Sequence, residues 1–267
     1  MFGLGVPGPG VQGAAGSAAA VIKAGGGAPA PSTDDYWDNV VLYSRFDGTD
    51  ASTTFVDETG LKTITAAGAA ELDTADKVFG TASLKPGGIA DGNYASVDAG
   101  TELVFGTGDF TIECRFKVAA YGVDHNDAGQ SIMDGRAGLT ATPWAIETMG
   151  PNHVTASWRN EVHIYNGASH LSSGANVVAG TWYAFAWTRT GGTSYIFIDG
   201  VDVGQFADSV DYTNGNNVVR IGDNIDSIAA TNGAHTGWID EFRVTKDVAR
   251  YTSNYTIATE QFPTTQT

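Results

Sequence analysis

One cysteine, Cys114, stands among 267 residues, so no intrachain disulfide can form and stability has to come from packing. Basic residues are scarce: 14 Lys+Arg face 30 Asp+Glu, giving a net charge of −16 and a pI near 4.4. A field of that sign argues against nucleic acid or an anionic membrane surface as partner. No apolar run approaches the ~18 residues that a membrane helix needs. A sustained helical apolar period is missing too; only residues 246–251 have room for one short turn. The five histidines (His125, His153, His163, His170 and His235) show neither metal-ligand spacing nor a neighbouring nucleophile motif.

What is present points to β structure. There are 35 glycines, and 12 Phe, 10 Tyr and 6 Trp, with 42% hydrophobic residues overall. Glycine punctuation among aromatic and β-branched residues fits short strands joined by turns. FTIECRFKV at 110–118 alternates without a fault, with Phe110, Ile112, Cys114, Phe116 and Val118 inward. Thr111, Glu113, Arg115 and Lys117 then point outward, which predicts a strand with one wet face in an antiparallel sheet. Residues 182–189 are bulky on both faces, as expected of a strand covered on both sides. Gly191-Gly192 and Asp199-Gly200 predict hairpin turns. Many strands, regular turns and no helices predict an all-β, antiparallel two-sheet sandwich.

Residues 1–33 are made of different material: nine Gly, eight Ala, four of the eight prolines and one charge, Lys23. This composition cannot bury enough surface to offset its chain entropy, so it reads as a linker or tail. It lacks the basic start and unbroken apolar run of a secretory signal. As an arm it could reach on the order of 100 Å at ~3.3 Å per residue, enough to cross a neighbouring subunit. Phe2, Leu4, Val6, Val11, Val21 and Ile22 would be its anchoring side chains. The expected division is an arm over 1–33 and a folded body over 34–267.

The segments VLYSRFDG (41–48), KVFGTASLKPGG (77–88), GDFTIECRFKV (108–118), GTWYAFAWTRTGGTSYIFIDGVDVG (180–204), VRIGD (219–223) and GWIDEFRVTKDVARYT (237–252) occur in that order. Together they resemble the laminin-G-like jelly rolls of the concanavalin A-like lectin/glucanase superfamily. The phrase RVTKDVARYT followed by TSNYT is similar to such domains in bacteriophage structural and tail-associated proteins. The resemblance implies a jelly roll and a virion partner. It also implies a structural calcium held by a carboxylate on the last strand, which would be Asp240, with Asp47 beside it. Read by strict alternation, GWIDEFRV puts Trp238, Asp240, Phe242 and Val244 on one face. Asp240 there needs either a cation or hydrogen-bond donors.

The superfamily also contains β-glucanases, whose motif E-x-D-x-x-E is approached by Glu71, Asp73 and Asp76. Asp76 falls on the opposite strand face and is one carbon short, which disfavours retaining hydrolysis. For sugar binding, Trp144, Trp158 and Tyr165 are candidate ring platforms, with Asn166 and the neighbouring Asn152 and Asn160 for hydroxyls. Glu161 and His163 share a face with Tyr165 and read as a polar strand edge. The expected protein is therefore a non-enzymatic virion component, repeated as a homo-oligomer on a particle and anchored by its arm to other virion proteins. Weak glycan adhesion would be its second activity. A secreted bacterial lectin is the alternative reading, and a glucanase-like hydrolase the third.

Overall fold

The computed structural model describes residues 33–88, 92–121, 129–136, 144–213, 218–224 and 233–265. The anchoring side chains expected at Phe2, Leu4, Val6, Val11, Val21 and Ile22 lie outside the described residues. Within these, the strands run β1 (Val40–Ser44), β2 (Thr54–Phe55), β3 (Ile64–Ala67), β4 (Glu71–Asp73), β5 (Ser83–Lys85), β6 (Tyr94–Asp98), β7 (Phe110–Val118) and β8 (Gly129–Asp134). They continue as β9 (Ala145–Met149), β10 (Val162–Tyr165), β11 (Ser169–Leu171), β12 (Trp182–Thr190), β13 (Thr193–Ile198), β14 (Val201–Ala207), β15 (Val218–Ile221) and β16 (Gly237–Lys246). The only helical pieces described are single 3₁₀ turns at Trp37–Asn39 and Ala156–Trp158.

Two eight-stranded antiparallel sheets form the body. Sheet A runs β14-β13-β12-β7-β16-β5-β4, with β1 also on β16; sheet B runs β11-β10-β9-β8-β15-β6-β3-β2. The inner face of β7 meets sheet B as its alternation predicts: Phe110, Ile112, Phe116 and Val118 are fully buried and Cys114 nearly so, packed in one core with Ile132, Ile146 and Ile164. Hairpin turns follow the glycine signals, with positive φ at Gly191, Gly192, Asp199 and Gly200.

The expected wet face of β7 is a correction. Thr111, Glu113 and Arg115 are buried, because the chain after β16 folds back across the outer face of sheet A. Tyr251 donates its hydroxyl to Glu113 at 2.9 Å, Arg115 donates to the carbonyl of Ala258 at 2.5 Å, and the Phe262 ring lies 3.6 Å from the Arg243 guanidinium carbon. Tyr251 and Tyr255 stack at 3.6 Å. Beneath them Arg243 joins Glu113 and Asp34, both at 2.8 Å, and Arg250 reaches Asp34 at 2.8 Å. Burial works against the Asp34 charge, but the hydrogen bond and charge of Arg250, with the charge of Arg243, hold its carboxyl below the ordinary range. The Asp34 amide also donates to the Thr265 carbonyl at 2.7 Å, so both ends of the described body meet on this side.

A second correction concerns the face of Asp240. The register of β16 against β7 shifts between Asp240 and Arg243, and Glu241 takes a left-handed φ of 50°. This bulge flips the phase of the strand. Ile239, Phe242 and Val244 therefore line the core, while Trp238, Asp240, Arg243 and Thr245 face outward, opposite Lys117, Arg115, Glu113 and Thr111 of β7 where the ladder pairs them. The carboxylate is not in line with the apolar residues after all.

Candidate functional site

Asp240 sits where β16 changes neighbour: Ile239 pairs with Leu84 of β5, and Phe242 with Ser44 of β1. Into that junction the loop before β5 points its backbone. Asp240 Oδ2 accepts from the amides of Val78 at 2.8 Å and Phe79 at 3.1 Å, and Oδ1 from the amide of Glu241 at 2.9 Å. Asp47 is similarly occupied, accepting from Thr81, the Ala82 amide and the Gln261 side chain. N–H hydrogens ring both carboxylates, and calcium needs oxygens. Among the described residues no three His, Cys, Asp or Glu side chains group as metal ligands. The donor set does not fit the calcium that the resemblance implied. Asp240 instead pins the 77–80 loop to the last strand. Burial, reinforced by the charge of Glu241, pushes its carboxyl up to about 7 against the pull of those amides.

The glucanase-like trio is also committed. Lys85 lies 3.3 Å from Glu71 and 3.5 Å from Asp73, while Asp76 accepts from Lys117 at 2.6 Å and the Trp182 indole at 2.8 Å. These carboxylates serve ion pairs on the outer side of sheet A.

Sheet B presents a different outer face. Cross-strand pairing aligns Tyr165, Ala145, Asp134, Arg220, Ser96, Thr65 and Thr54 as one rung across the sheet. The next rung holds His163, Glu147 and Ser131. Alternation delivers both rungs to the side away from the core, since Ile164, Ile146, Met133, Ile221 and Ala95 take the inner positions. Aromatic rings interleave with planar ions here. Arg220 stacks 4.4 Å from the Tyr94 ring, and Arg136, forked onto Asp134 at 2.6–3.1 Å, lies 5.7 Å from the Tyr165 ring. His163 Nδ1 meets Glu147 Oε2 at 3.0 Å. Burial opposes the Glu147 charge, yet the hydrogen bond and charge of His163 and the charge of Arg136 keep that carboxyl below its usual range.

The structure separates the residues that sequence reasoning grouped for sugar binding. Trp144 is 1% exposed, between Phe105 and Trp187 in the core, and offers no ring face to a ligand. Its candidacy is withdrawn. Asn166 is buried, its amide donating to the Tyr212 hydroxyl at 2.9 Å and its carbonyl oxygen 3.0 Å from His170 Nε2. Trp158 and Tyr165 do share the outer side of sheet B. Trp158 is already engaged by imidazoles, with His153 stacked at 5.0 Å and His163 at 4.8 Å. Glu161, grouped with His163 by parity, instead accepts from Ser172 and the Gly174 and Ala175 amides. Sequence reasoning missed Tyr94, Asp134, Arg136, Glu147 and Arg220. For Glu147 and Arg220 the signal was a lone charge inside an apolar strand.

A polar rung with rings and planar hydrogen-bonding groups is suited to a ligand that combines hydroxyls with a small apolar face. No curated protein sequence matches the chain. Among solved structures, domain 4 of AbnA, a GH43 extracellular arabinanase from Geobacillus stearothermophilus seen with arabinotriose, superposes at a TM-score of 0.52 and 18% identity, over 78% of this chain and 92% of that one. The binding domains of botulinum neurotoxin serotype C1 (0.55, 16%) and Paraclostridial Mosquitocidal Protein 1 (0.54, 12%) match over 80% of this chain. This chain spans about half the length of those two toxin chains, 50% in each case. Such likeness is one of fold. A family model, described as Concanavalin A-like lectin/glucanases superfamily, matches residues 91–250, from the loop before β6 to the arginine that clasps Asp34. With the two antiparallel sheets, that match makes this chain a member of the concanavalin A-like lectin/glucanase superfamily.

Proposed function

We propose that this chain is a non-enzymatic glycan-binding jelly roll carried on a virion, with the outer face of sheet B as its sugar site. One observation carries the reading: the two outer faces have opposite fates. The Gly/Ala arm joins the body beside Asp34, on the side of sheet A, while the polar rung with Tyr94, Tyr165 and Arg220 lies on sheet B. A body tethered at the first face turns the second outward. The likeness in fold to an arabinanase domain seen with arabinotriose supports a saccharide as ligand. The likeness of RVTKDVARYT to phage structural proteins supports the particle. Repetition there would turn a weak site into an avid one, with no new contact.

The non-enzymatic part is supported by the ion pairs that occupy Glu71, Asp73 and Asp76. The test is a glycan array probed with the full chain and with Tyr165→Ala. Wild type should bind a saccharide and the variant should lose at least about tenfold, the worth of one stacking platform. A variant that binds as well as wild type overturns the assignment of this face. Deleting residues 1–32 should leave glycan binding intact and abolish incorporation into particles. Equal incorporation removes the virion part and leaves a free lectin.

A further inference from the structure

Among the buried polar atoms on this face, His163 Nε2 is left without a partner. His163 is 4% exposed, its Nδ1 faces Glu147 Oε2 at 3.0 Å, and its Nε2 is closed off from solvent with no hydrogen bond. We propose that His163 reads a ligand hydroxyl: Nε2 accepts a hydrogen bond from a neutral saccharide, and the Ala156–Trp158 turn shifts to admit it. This rests on the glycan reading above.

The chemistry follows from the pair. An ionised carboxylate can only accept, which places a hydrogen on Nδ1, and in the neutral imidazole Nε2 then keeps its lone pair. An acceptor buried and unmet is costly, and such sites belong to waters, ligands or function. A metal would also take this lone pair, but no three-residue ligand set exists among the described residues. An anion would meet a lone pair instead of a donor, and Arg136 is already forked onto Asp134. A hydroxyl donor remains, which suits a neutral sugar and a chain of net charge −16. Trp158 is the element that has to yield: its indole lies 4.8 Å from the His163 ring, and it stands on a single 3₁₀ turn.

Protonating Nε2 would replace the acceptor by a donor, so binding should weaken in acid. The ionisable groups around the imidazole are Glu147 on β9, Arg136 after β8, Tyr165 on its own strand, His153 beside Trp158, and His170 on β11, which feels the His163 charge.

The experiment uses the full chain with arabinotriose, cellotriose and laminaritriose as probes, by calorimetry across pH and by ¹⁵N spectra of the imidazoles. A probe that binds should move the His163 Nε2 resonance toward that of a hydrogen-bonded acceptor. Its affinity should fall at least tenfold in His163→Ala, and persist without acid loss in His163→Gln, whose amide oxygen can stand near Nε2. If His163→Ala fails to fold, the wild-type Nε2 resonance decides. Probe binding that leaves this resonance and the alanine variant unaffected means an ordered water owns Nε2; the inference falls and the glycan reading survives. No binding by any probe, on the array or in solution, overturns both.

Discussion

The outer faces of the two sheets began from the same kind of sequence, strands alternating apolar with polar residues, and ended differently. On sheet A, Glu113, Arg115 and Arg243 are sealed beneath Tyr251, Tyr255 and Phe262 and tied to Asp34 and Arg250. Glu113, Arg243, Asp34 and Arg250 answer one another there, and Arg115 is met by the Ala258 carbonyl. On sheet B, the polar groups are held by short local partners, and Tyr94, Tyr165, Trp158 and Arg220 remain half-buried. Among its buried polar atoms, His163 Nε2 is left unanswered. The lesson is that polarity on a strand does not separate structural from functional roles. What separates them is whether the chain itself consumes the polar groups.

Breaking the sealed face should have the largest effect. Arg243→Ala leaves buried Asp34 and Glu113 with Arg250 as their remaining cation, at a cost of about 3 kcal/mol in urea unfolding. A loss below about 1 kcal/mol would mean that the C-terminal cover does not depend on this arginine. Next comes Asp240. Burial pushes its carboxyl up to about 7 in the fold, above the ordinary Asp value of about 3.9, so folding takes up a proton between those values. Stability from this group is present below about pH 4 and is lost as pH rises through about 7, a swing of at most ~4 kcal/mol. Asp240→Asn cannot titrate, so its penalty relative to wild type should shrink from pH 4.5 to pH 8. A constant penalty would show that the three amides keep Asp240 ionised throughout. The smallest stability effect belongs to the outer face of sheet B: Tyr165→Ala, at a half-buried ring, should cost about 1 kcal/mol while impairing sugar binding. Destabilisation comparable to Arg243→Ala would erase the contrast between the faces.

The core was legible because alternation at 110–118 has a single solution, with Phe110 through Val118 inward, and because Gly191-Gly192 and Asp199-Gly200 allow the left-handed backbone of tight turns. The bulge at Asp240 was not. Glu241 adopts a left-handed φ with no glycine or asparagine to announce it, so parity counting carried Asp240 to the wrong face. Coverage of sheet A was hidden for another reason: alternation says which residues point away from the core, never what lies over them. Trp144 illustrates the limit for single aromatics, since it shares the inner parity of β9 with Ile146 yet begins outside the strand. Of the candidate site, Tyr165 and Trp158 could be named in advance. The Glu147–His163 pair could not, because its two halves are sixteen residues apart and meet only through the register of β9 with β10.

The bond from the Asp34 amide to the Thr265 carbonyl closes the described body into a ring. Such a ring has no privileged opening. A short splice from 265 to 34, with new ends cut at an exposed hairpin such as Gly191-Gly192, should yield a permuted two-sheet module at little loop-closure cost. The same geometry lets the body be seated in a surface turn of an unrelated host protein, entering and leaving through one narrow doorway.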